Sequence, residues 1–293
     1  MHKPSFPSPQ ILRWAALALS IALLQACSAV RLAYNQVPTL AYWQINSYLG
    51  LSETQAEKVR SELGDLHQWH RDTMLPRHAE LLQKVRQQLP SEITAEQACS
   101  TYAEVRVQLD RVIDQIEPRL VWLASQLTEA QIRTLERKQA DSNADWRKEW
   151  LDVSPPKLVE QRYQQLLSRA EGFYGSLDAP QKLALRNFVA QSGFDPQRAY
   201  AERLRRQKDL VQVLRQVVAQ PTSLERNRDL LRGYLARFNA SPDVAYQRYA
   251  RQLVEEGCAG FAQVHRAMTA AQRAKAAQSL QAYEQDFWVL AGR

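Results

Sequence analysis

An all-α fold is predicted for this chain of 293 residues, and three observations predict it. The chain has only 9 glycines and is rich in Ala, Leu, Gln, Arg and Glu, which favour helix over sheet. Apolar residues recur three or four positions apart, and no segment alternates with the period of a strand. Capping residues precede several of these segments. We therefore expect an irregular bundle of about ten amphipathic helices, built from helical hairpins.

The first element is an N-terminal segment with the pattern of a secretory signal. Lys3 and Arg13 precede an uncharged apolar run, residues 14–24. This run is shorter than the roughly 20 apolar residues of a membrane span. Ala26 is a small residue directly before Cys27, so the segment resembles a bacterial lipoprotein signal. That resemblance implies cleavage between Ala26 and Cys27, diacylation of the Cys27 thiol and acylation of the new amino terminus.

The predicted signal has consequences for charge and location. Removal of residues 1–26 takes away Lys3 and Arg13, and the formal charge falls from +7 to +5. Ser28 stands where an aspartate often retains lipoproteins at the inner membrane, so we expect the outer membrane and a body on its periplasmic face. This compartment excludes nucleic acid as a partner. The alternative is an ordinary secretory signal whose cysteine is incidental.

Residues 27–50 follow as a short, aromatic, membrane-proximal segment without a Gly/Ser tether. Its aromatic residues have an apolar body and a polar tip, and could lie at the headgroup level or pack on the folded body. These residues are Tyr34, Tyr42, Trp43 and Tyr48. In either case the body is expected to lie close to the membrane.

Residues 51–293 are expected to form one helical periplasmic domain with candidate halves 51–153 and 154–293. The linker between them is the Val-Ser-Pro-Pro run at 153–156. One apolar stripe on a charged helix comprises Ala98, Tyr102, Val105, Leu109, Val112 and Ile116. Such a stripe is typical of a core-facing helix. Breaks or kinks are expected at Pro76, Pro90, Pro118 and Pro221.

A short form recurs five times: an apolar residue, a capping residue, two variable residues and a glutamine. Its copies begin at Leu51, Ile93, Leu127, Leu177 and Met268. Each copy predicts a capping box preceded by the apolar partner of a hydrophobic staple. The copies are unevenly spaced, which argues against a regular solenoid and favours helical hairpins that have diverged by insertion.

In addition to Cys27, the predicted lipidation site, the chain contains two cysteines, Cys99 and Cys258. An even pair in an oxidising compartment predicts a disulfide, which would close a loop of about 160 residues. The alternative is two buried free thiols, because each cysteine lies among apolar helical residues.

Catalytic signatures are missing from the sequence: it has no nucleophile elbow, phosphate loop, Cys-x-x-Cys or His-Glu-x-x-His. We therefore expect a protein that is not an enzyme and holds no cofactor. The most suggestive cluster is His67, His70, Met74 and His78, which would share one face of a continuous helix. Such ligands suit copper or zinc, but Pro76 should interrupt the face and His70 lies on an apolar stripe. We therefore assign no metal.

The mature chain resembles an uncharacterised family of proteobacterial helical lipoproteins. The residues that carry this resemblance are Tyr34-Asn35, Trp43, Trp69-His70-Arg71 and the closing run 269–273. It implies fold and location but no activity. The form at 127–131, Leu-Thr-Glu-Ala-Gln, also resembles periplasmic chaperones of the Spy and CpxP type, which are helical and hold unfolded clients. The expected function is non-catalytic binding or scaffolding with an envelope protein partner; the alternative is a membrane-tethered holdase.

Overall fold

The computed structural model describes the backbone of residues 9–293 and the side chains of residues 29–293. The side chains of Ala26 and Cys27, the predicted cleavage and lipidation site, lie outside this range, and their roles stay predictions. Within the described residues the chain forms eleven α-helices and one π-helical turn, without a strand. The predicted all-α multi-helix bundle is therefore confirmed.

The helices follow one another through short connections. In chain order they are α1 (Pro9–Leu49), α2 (Glu53–Trp69), the π turn (His70–Met74), α3 (Leu75–Gln88), α4 (Ala95–Gln126), α5 (Glu129–Trp150), α6 (Pro155–Tyr174), α7 (Ala179–Gln191), α8 (Pro196–Ala219), α9 (Leu224–Asn239), α10 (Val244–Ala267) and α11 (Ala270–Leu290). No helix in the described part of the chain has both the length and the apolarity to cross a membrane.

All five predicted capping boxes are present. In each, the capping side chain accepts a hydrogen bond from the backbone N–H of the glutamine, and the glutamine side chain accepts one from the backbone N–H of the capping residue. These reciprocal bonds satisfy donors of the first turn that have no partner inside the helix. They fix the starts of α2, α4, α5, α7 and α11.

At two of the four prolines, for which we predicted a break or a kink, the helix does not break. The helical path continues through Pro118, which lies inside α4. It also continues through Pro76, where the π turn precedes the proline and α3 follows without a gap. A π turn carries one extra residue, which lets the helix accommodate the missing N–H of a proline. Pro90 and Pro221 do lie in breaks between helices.

Two main cores organise the bundle. The first joins α6, α7, α10 and α11 to Leu89 and Ile93, which lie at the turn between α3 and α4. The second joins the C-terminal half of α4 to α5, α8 and α9. Because each core takes residues from both sides of position 153, the candidate halves 51–153 and 154–293 share their cores. Helix α4 rises about 48 Å over its 32 residues and connects the two.

A disulfide connects Cys99 of α4 to Cys258 of α10. The predicted pair is therefore present, rather than two free thiols. The Cα atoms lie 5.4 Å apart and the bridge spans 159 positions of sequence. It fixes the N-terminal half of α4 against the first core, and Cys258 itself is buried there.

Candidate binding groove

An apolar groove of about 630 Å³ opens between α3, α4 and α10. Its volume is within the range of small-molecule and peptide-binding clefts. Two features of the sequence create it. The turn at 89–94 joins α3 to α4, and the disulfide holds α10 against α4.

The walls of this groove are almost entirely hydrocarbon. The lining residues on α3 and the following turn are Leu81, Leu82, Val85, Gln88, Leu89 and Ile93; those on α4 are Ala98, Thr101, Tyr102 and Val105; those on α10 are Leu253, Val254, Gly257, Cys258 and Phe261; Phe173 and Leu280 complete the floor. Only Gln88, Thr101 and the hydroxyl of Tyr102 offer polar atoms. A ligand of this groove must therefore be apolar over the surface that it buries.

The groove corrects the expectation that the whole α4 stripe faces a core. Tyr102, Val105 and Leu109 are 45%, 48% and 44% exposed, whereas the later stripe residues Val112 and Ile116 are partly buried. Exposed apolar side chains at i, i+3 and i+7 form an unpartnered helical face. Tyr102 and Val105 thus line an open groove, Leu109 is exposed beyond that lining, and the second half of the stripe is partly buried.

Ion pairs connect the helices at this end of the bundle. Lys84 of α3 lies 2.5 Å from Glu104 of α4, and Arg86 of α3 lies 3.0 Å from Glu284 of α11. Each cation on this part of α3 is therefore matched by a carboxylate from a neighbouring helix. Because the charges are paired, they do not supply a net electrostatic attraction for a charged ligand.

A second apolar cavity of about 440 Å³ lies against the second core, between α1, α4, α5, α8 and α9. Tyr48 of α1 and Tyr234 of α9 are among its lining residues, and both are partly buried. It is smaller than the α3–α4–α10 groove, and its walls already pack on one another as part of a core. The larger groove is therefore the better candidate binding site.

Four of the five capping-box glutamines meet in pairs across the bundle. Gln55 at the start of α2 contacts Gln131 at the start of α5, and the amide nitrogen of Gln131 lies 2.7 Å from the amide oxygen of Gln55. Gln181 at the start of α7 contacts Gln272 at the start of α11 in the same way, again at 2.7 Å. Each of these four capping boxes therefore also takes part in a junction between two helix starts.

The two junctions share a second detail. Each of the four glutamine side chains also donates a hydrogen bond to a backbone carbonyl of the partner segment. The acceptor lies two residues before the residue that caps the partner helix. The acceptors are the carbonyls of Gln126, Gly50, Ala267 and Ser176, at 2.6–3.2 Å. This repeated geometry shows that the recurring form has one structural role at both junctions. The remaining copy, at Gln97, closes its capping box alone.

The histidine cluster fastens α1 to the π turn. The hydroxyl of Tyr34 lies 2.9 Å from Nδ1 of His70, and Nε2 of His67 lies 3.1 Å from the carbonyl oxygen of Tyr34. His78 pairs with the side chain of Gln108 on α4, and its ring centroid lies 5.3 Å from that of His70. Met74 is completely buried.

One ring nitrogen of each of these histidines is therefore engaged by a protein group. Among the described residues, no three His, Cys, Asp or Glu side chains come together in a group that could hold a metal ion. The arrangement instead holds helices together, and it leaves the imidazoles in a partly apolar setting.

Burial lowers the pKa of all three histidines. For His70 burial and the neighbouring His78 and His67 lower the pKa to about 4. For His67 and His78 burial is likewise the largest cause. Burial raises the pKa of Tyr34 to about 12, so its hydroxyl keeps its proton. The cluster is thus built for neutral imidazoles.

As the pH falls, we expect protonation of the histidines to destabilise this cluster before the carboxylates of the protein become protonated. The unfolded chain takes up protons near pH 6.5, whereas folded His70 resists protonation down to about pH 4. Stability contributed by this shift is complete above pH 6.5 and is lost as the pH falls toward 4. We expect the melting temperature to fall over this window, and to fall less in His70→Gln. Thermal unfolding at half-unit pH steps measures this; parallel curves for the two proteins would contradict it.

The four aromatic residues of α1 were expected either to pack on the folded body or to lie at the headgroup level. Tyr34 packs on the histidine cluster, Tyr42 is buried under the guanidinium of Arg60, and Tyr48 is partly buried. Trp43 remains 61% exposed. Packing therefore accounts for three of the four aromatics, and one large ring stays at the surface.

The basic and aromatic residues of α8 have structural partners. The carboxylate of Glu202 accepts from Arg205 and Arg206, each at 2.8 Å. Trp146 of α5 stacks on Tyr200 of α8, with 5.3 Å between ring centroids. The Trp146–Tyr200 stack holds α5 against α8, whereas Glu202 pairs with arginines of its own helix.

Comparison with known proteins adds family membership but no activity. A family model described as a family of unknown function, DUF6279, matches residues 47–234. This range includes α2 to α8 and most of α9, and so contains the α3 and α4 walls of the groove. No curated protein and no solved structure matches the chain.

Proposed function

The chain belongs to the DUF6279 family, and from that premise we propose that it is a lipid-anchored cell-envelope protein with a non-catalytic binding role. Acyl chains on Cys27 would hold it at the periplasmic face of the outer membrane. The groove between α3, α4 and α10 would take an apolar helical segment of an envelope protein. The proteobacterial lipoprotein resemblance of the sequence supports the address, and the groove supports the binding role.

The disulfide is consistent with the proposed compartment. Disulfides persist in the bacterial periplasm, whereas cytosolic thiols are kept reduced. Mass spectrometry of the native amino-terminal peptide tests the anchor directly. We expect a triacylated Cys27 as the first residue; an unmodified cysteine, or a retained segment 1–26, would overturn the address.

The chemistry of the groove favours a helical ligand. A helix satisfies its own backbone hydrogen bonds, so it can present apolar side chains to walls that have few polar atoms. An extended peptide would bring unpaired N–H and C=O groups against the same walls. Tyr102 and Val105 of the groove wall are 45% and 48% exposed, so they can contact the apolar face of an amphipathic helix laid into the groove. The open groove beside these residues of the α4 stripe is the observation that carries the proposal.

A carboxylate placed on this stripe tests the binding role. Val105→Glu should weaken binding of a synthetic amphipathic helical peptide by about tenfold or more, which corresponds to about 1.4 kcal/mol, because the ligand would have to bury the charge. Fluorescence titration of a labelled peptide gives the dissociation constants. The matched control is Val244→Glu at the start of α10, where the native side chain is 62% exposed and is not part of the groove. Equal affinities of the two variants would contradict the proposal.

The alternative is a membrane-tethered holdase, as the short resemblance to Spy and CpxP chaperones suggests. An open apolar groove can accept side chains of many sequences, which supports this reading as well. The two roles differ in a simple assay. A holdase suppresses the aggregation of a reduced, unfolding client at near-equimolar ratio, as measured by light scattering, whereas a dedicated partner-binding protein does not.

A further inference from the structure

Helix α1 presents an uncharged apolar face to the outside of the bundle. Leu32, Val37, Leu40 and Trp43 are 65%, 47%, 54% and 61% exposed. The exposed residues between them are one alanine, one asparagine, one glutamine and one threonine. We call these four apolar side chains the outer face of α1.

The opposite side of α1 is fixed to the body. Arg31, the only charged residue in positions 29–49, lies 3.0 Å from a carboxylate oxygen of Asp286 on α11. Asn35 accepts a hydrogen bond from Arg71 at 2.6 Å, and the ring of Tyr42 lies 4.0 Å below the guanidinium of Arg60. These contacts fix the side of α1 that faces the bundle, so the outer face belongs to a helix that is held in place.

We propose that the outer face of α1 lies in the headgroup region of the membrane, so that α1 is an interfacial helix and not only a tether. The inference rests on the proposed lipid anchor, and it adds a second, oriented contact with the same membrane. An interfacial helix buries its apolar face a few ångströms below the headgroups, with tryptophan at the boundary.

Three observations favour a bilayer over a protein partner. First, α1 is one continuous helix from Pro9 to Leu49, and its N-terminal part contains the apolar run 14–24 of the sequence. Acyl chains on Cys27, or the apolar run itself, would hold the N-terminal end of this helix at the membrane. Second, Trp43 lies 16 residues beyond Cys27, about 24 Å along the helix, within reach of a membrane that holds that end.

Third, the exposed residues of α1 around these four apolar side chains are polar or small but carry no charge. No carboxylate interrupts positions 29–49, so nothing on this part of α1 is repelled by anionic headgroups. A single lipid-bound point would let the body rotate freely, whereas two contacts would fix which surfaces face the periplasm.

Site-directed spin labelling of the full acylated chain tests this inference. The chain is reconstituted into vesicles of phosphatidylethanolamine and phosphatidylglycerol, with a nitroxide on Leu40→Cys or on Trp43→Cys. Controls carry it on Leu183→Cys or Val244→Cys, whose native side chains are 58% and 62% exposed on other helices. We expect the ratio of oxygen to nickel-chelate accessibility to be roughly threefold or more higher at 40 and 43, because oxygen partitions into the apolar layer and the chelate does not.

The outcomes separate this inference from the anchor. The unmutated chain takes up no label if Cys27 is acylated, since the other two cysteines are bridged; labelling of Cys27 would overturn the anchor alone. If the chain floats with vesicles but positions 40 and 43 resemble the controls, the membrane contact of α1 is wrong. Protection from both reagents with dipolar broadening between labels would also overturn it, in favour of a contact between two copies.

Discussion

Replacing both bridging cysteines, as Cys99→Ser together with Cys258→Ser, should lower the free energy of unfolding by about 2–5 kcal/mol. The bridge spans 159 positions, and the chain-entropy model gives about 5 kcal/mol for a loop of that length. The measured loss should be smaller than this if the reduced chain keeps residual structure. Urea denaturation of the variant and of the unmutated chain gives the difference.

The same bridge should also influence the groove. It is the covalent link between α4 and α10, two of the three walls, so its loss should loosen the binding site as well as the fold. Reduction of the unmutated chain is the internal control, because it should reproduce the loss, and the double variant should no longer respond to reductant. A loss below about 1 kcal/mol would show that packing alone holds α4 on α10.

Gln181→Ala should lower the free energy of unfolding by about 2–4 kcal/mol. The side chain is buried, with 4% exposure. It bonds Gln272, the carbonyl of Ala267 and the backbone N–H of Asp178. Truncation removes these partly buried bonds, each of which has a net value of about 0.5–1.5 kcal/mol. Equilibrium denaturation in urea measures the change.

Gln97→Ala is the matched control, since Gln97 closes a capping box of the same kind without a partner glutamine. It should cost less than about 1 kcal/mol, the value of a cap alone. A double-mutant cycle of Gln181→Ala with Gln272→Ala should give a coupling energy of about 0.5–3 kcal/mol. Strict additivity, or equal losses at Gln97 and Gln181, would mean that the junction contributes nothing beyond capping.

Much of the local structure could be predicted from the sequence, because its causes lie within a few residues. The capping boxes follow from a capping side chain and a glutamine three positions later, and all five formed as predicted. Helical periodicity likewise predicted the fold class. The cysteine pair could be predicted from its parity and from the proposed compartment, although the alternative of free thiols could be resolved only by the fold.

The pairing of the glutamines could not be predicted, because partners lie 76 and 91 positions apart and no local signal selects Gln131 over Gln97 for Gln55. Helix α4 continues through Pro118, although proline in a helix interior removes a backbone hydrogen bond and usually ends or kinks the helix. The groove could not be predicted from the sequence for a related reason. A stripe containing Tyr102 and Val105 has the same sequence pattern whether a neighbouring helix covers it or leaves it open.

The closing helix has a consequence for how the chain is made. Helix α3 packs more extensively on α11 than on any other helix, although more than half of the chain separates them in sequence. Leu89 and Ile93, which precede α4, bury themselves among residues of α10 and α11. The face of α3 that α11 covers therefore has no partner when the N-terminal third first emerges during synthesis. The first core cannot close before the last fifty residues are made, so this apolar surface is exposed to aggregation until the final two helices arrive.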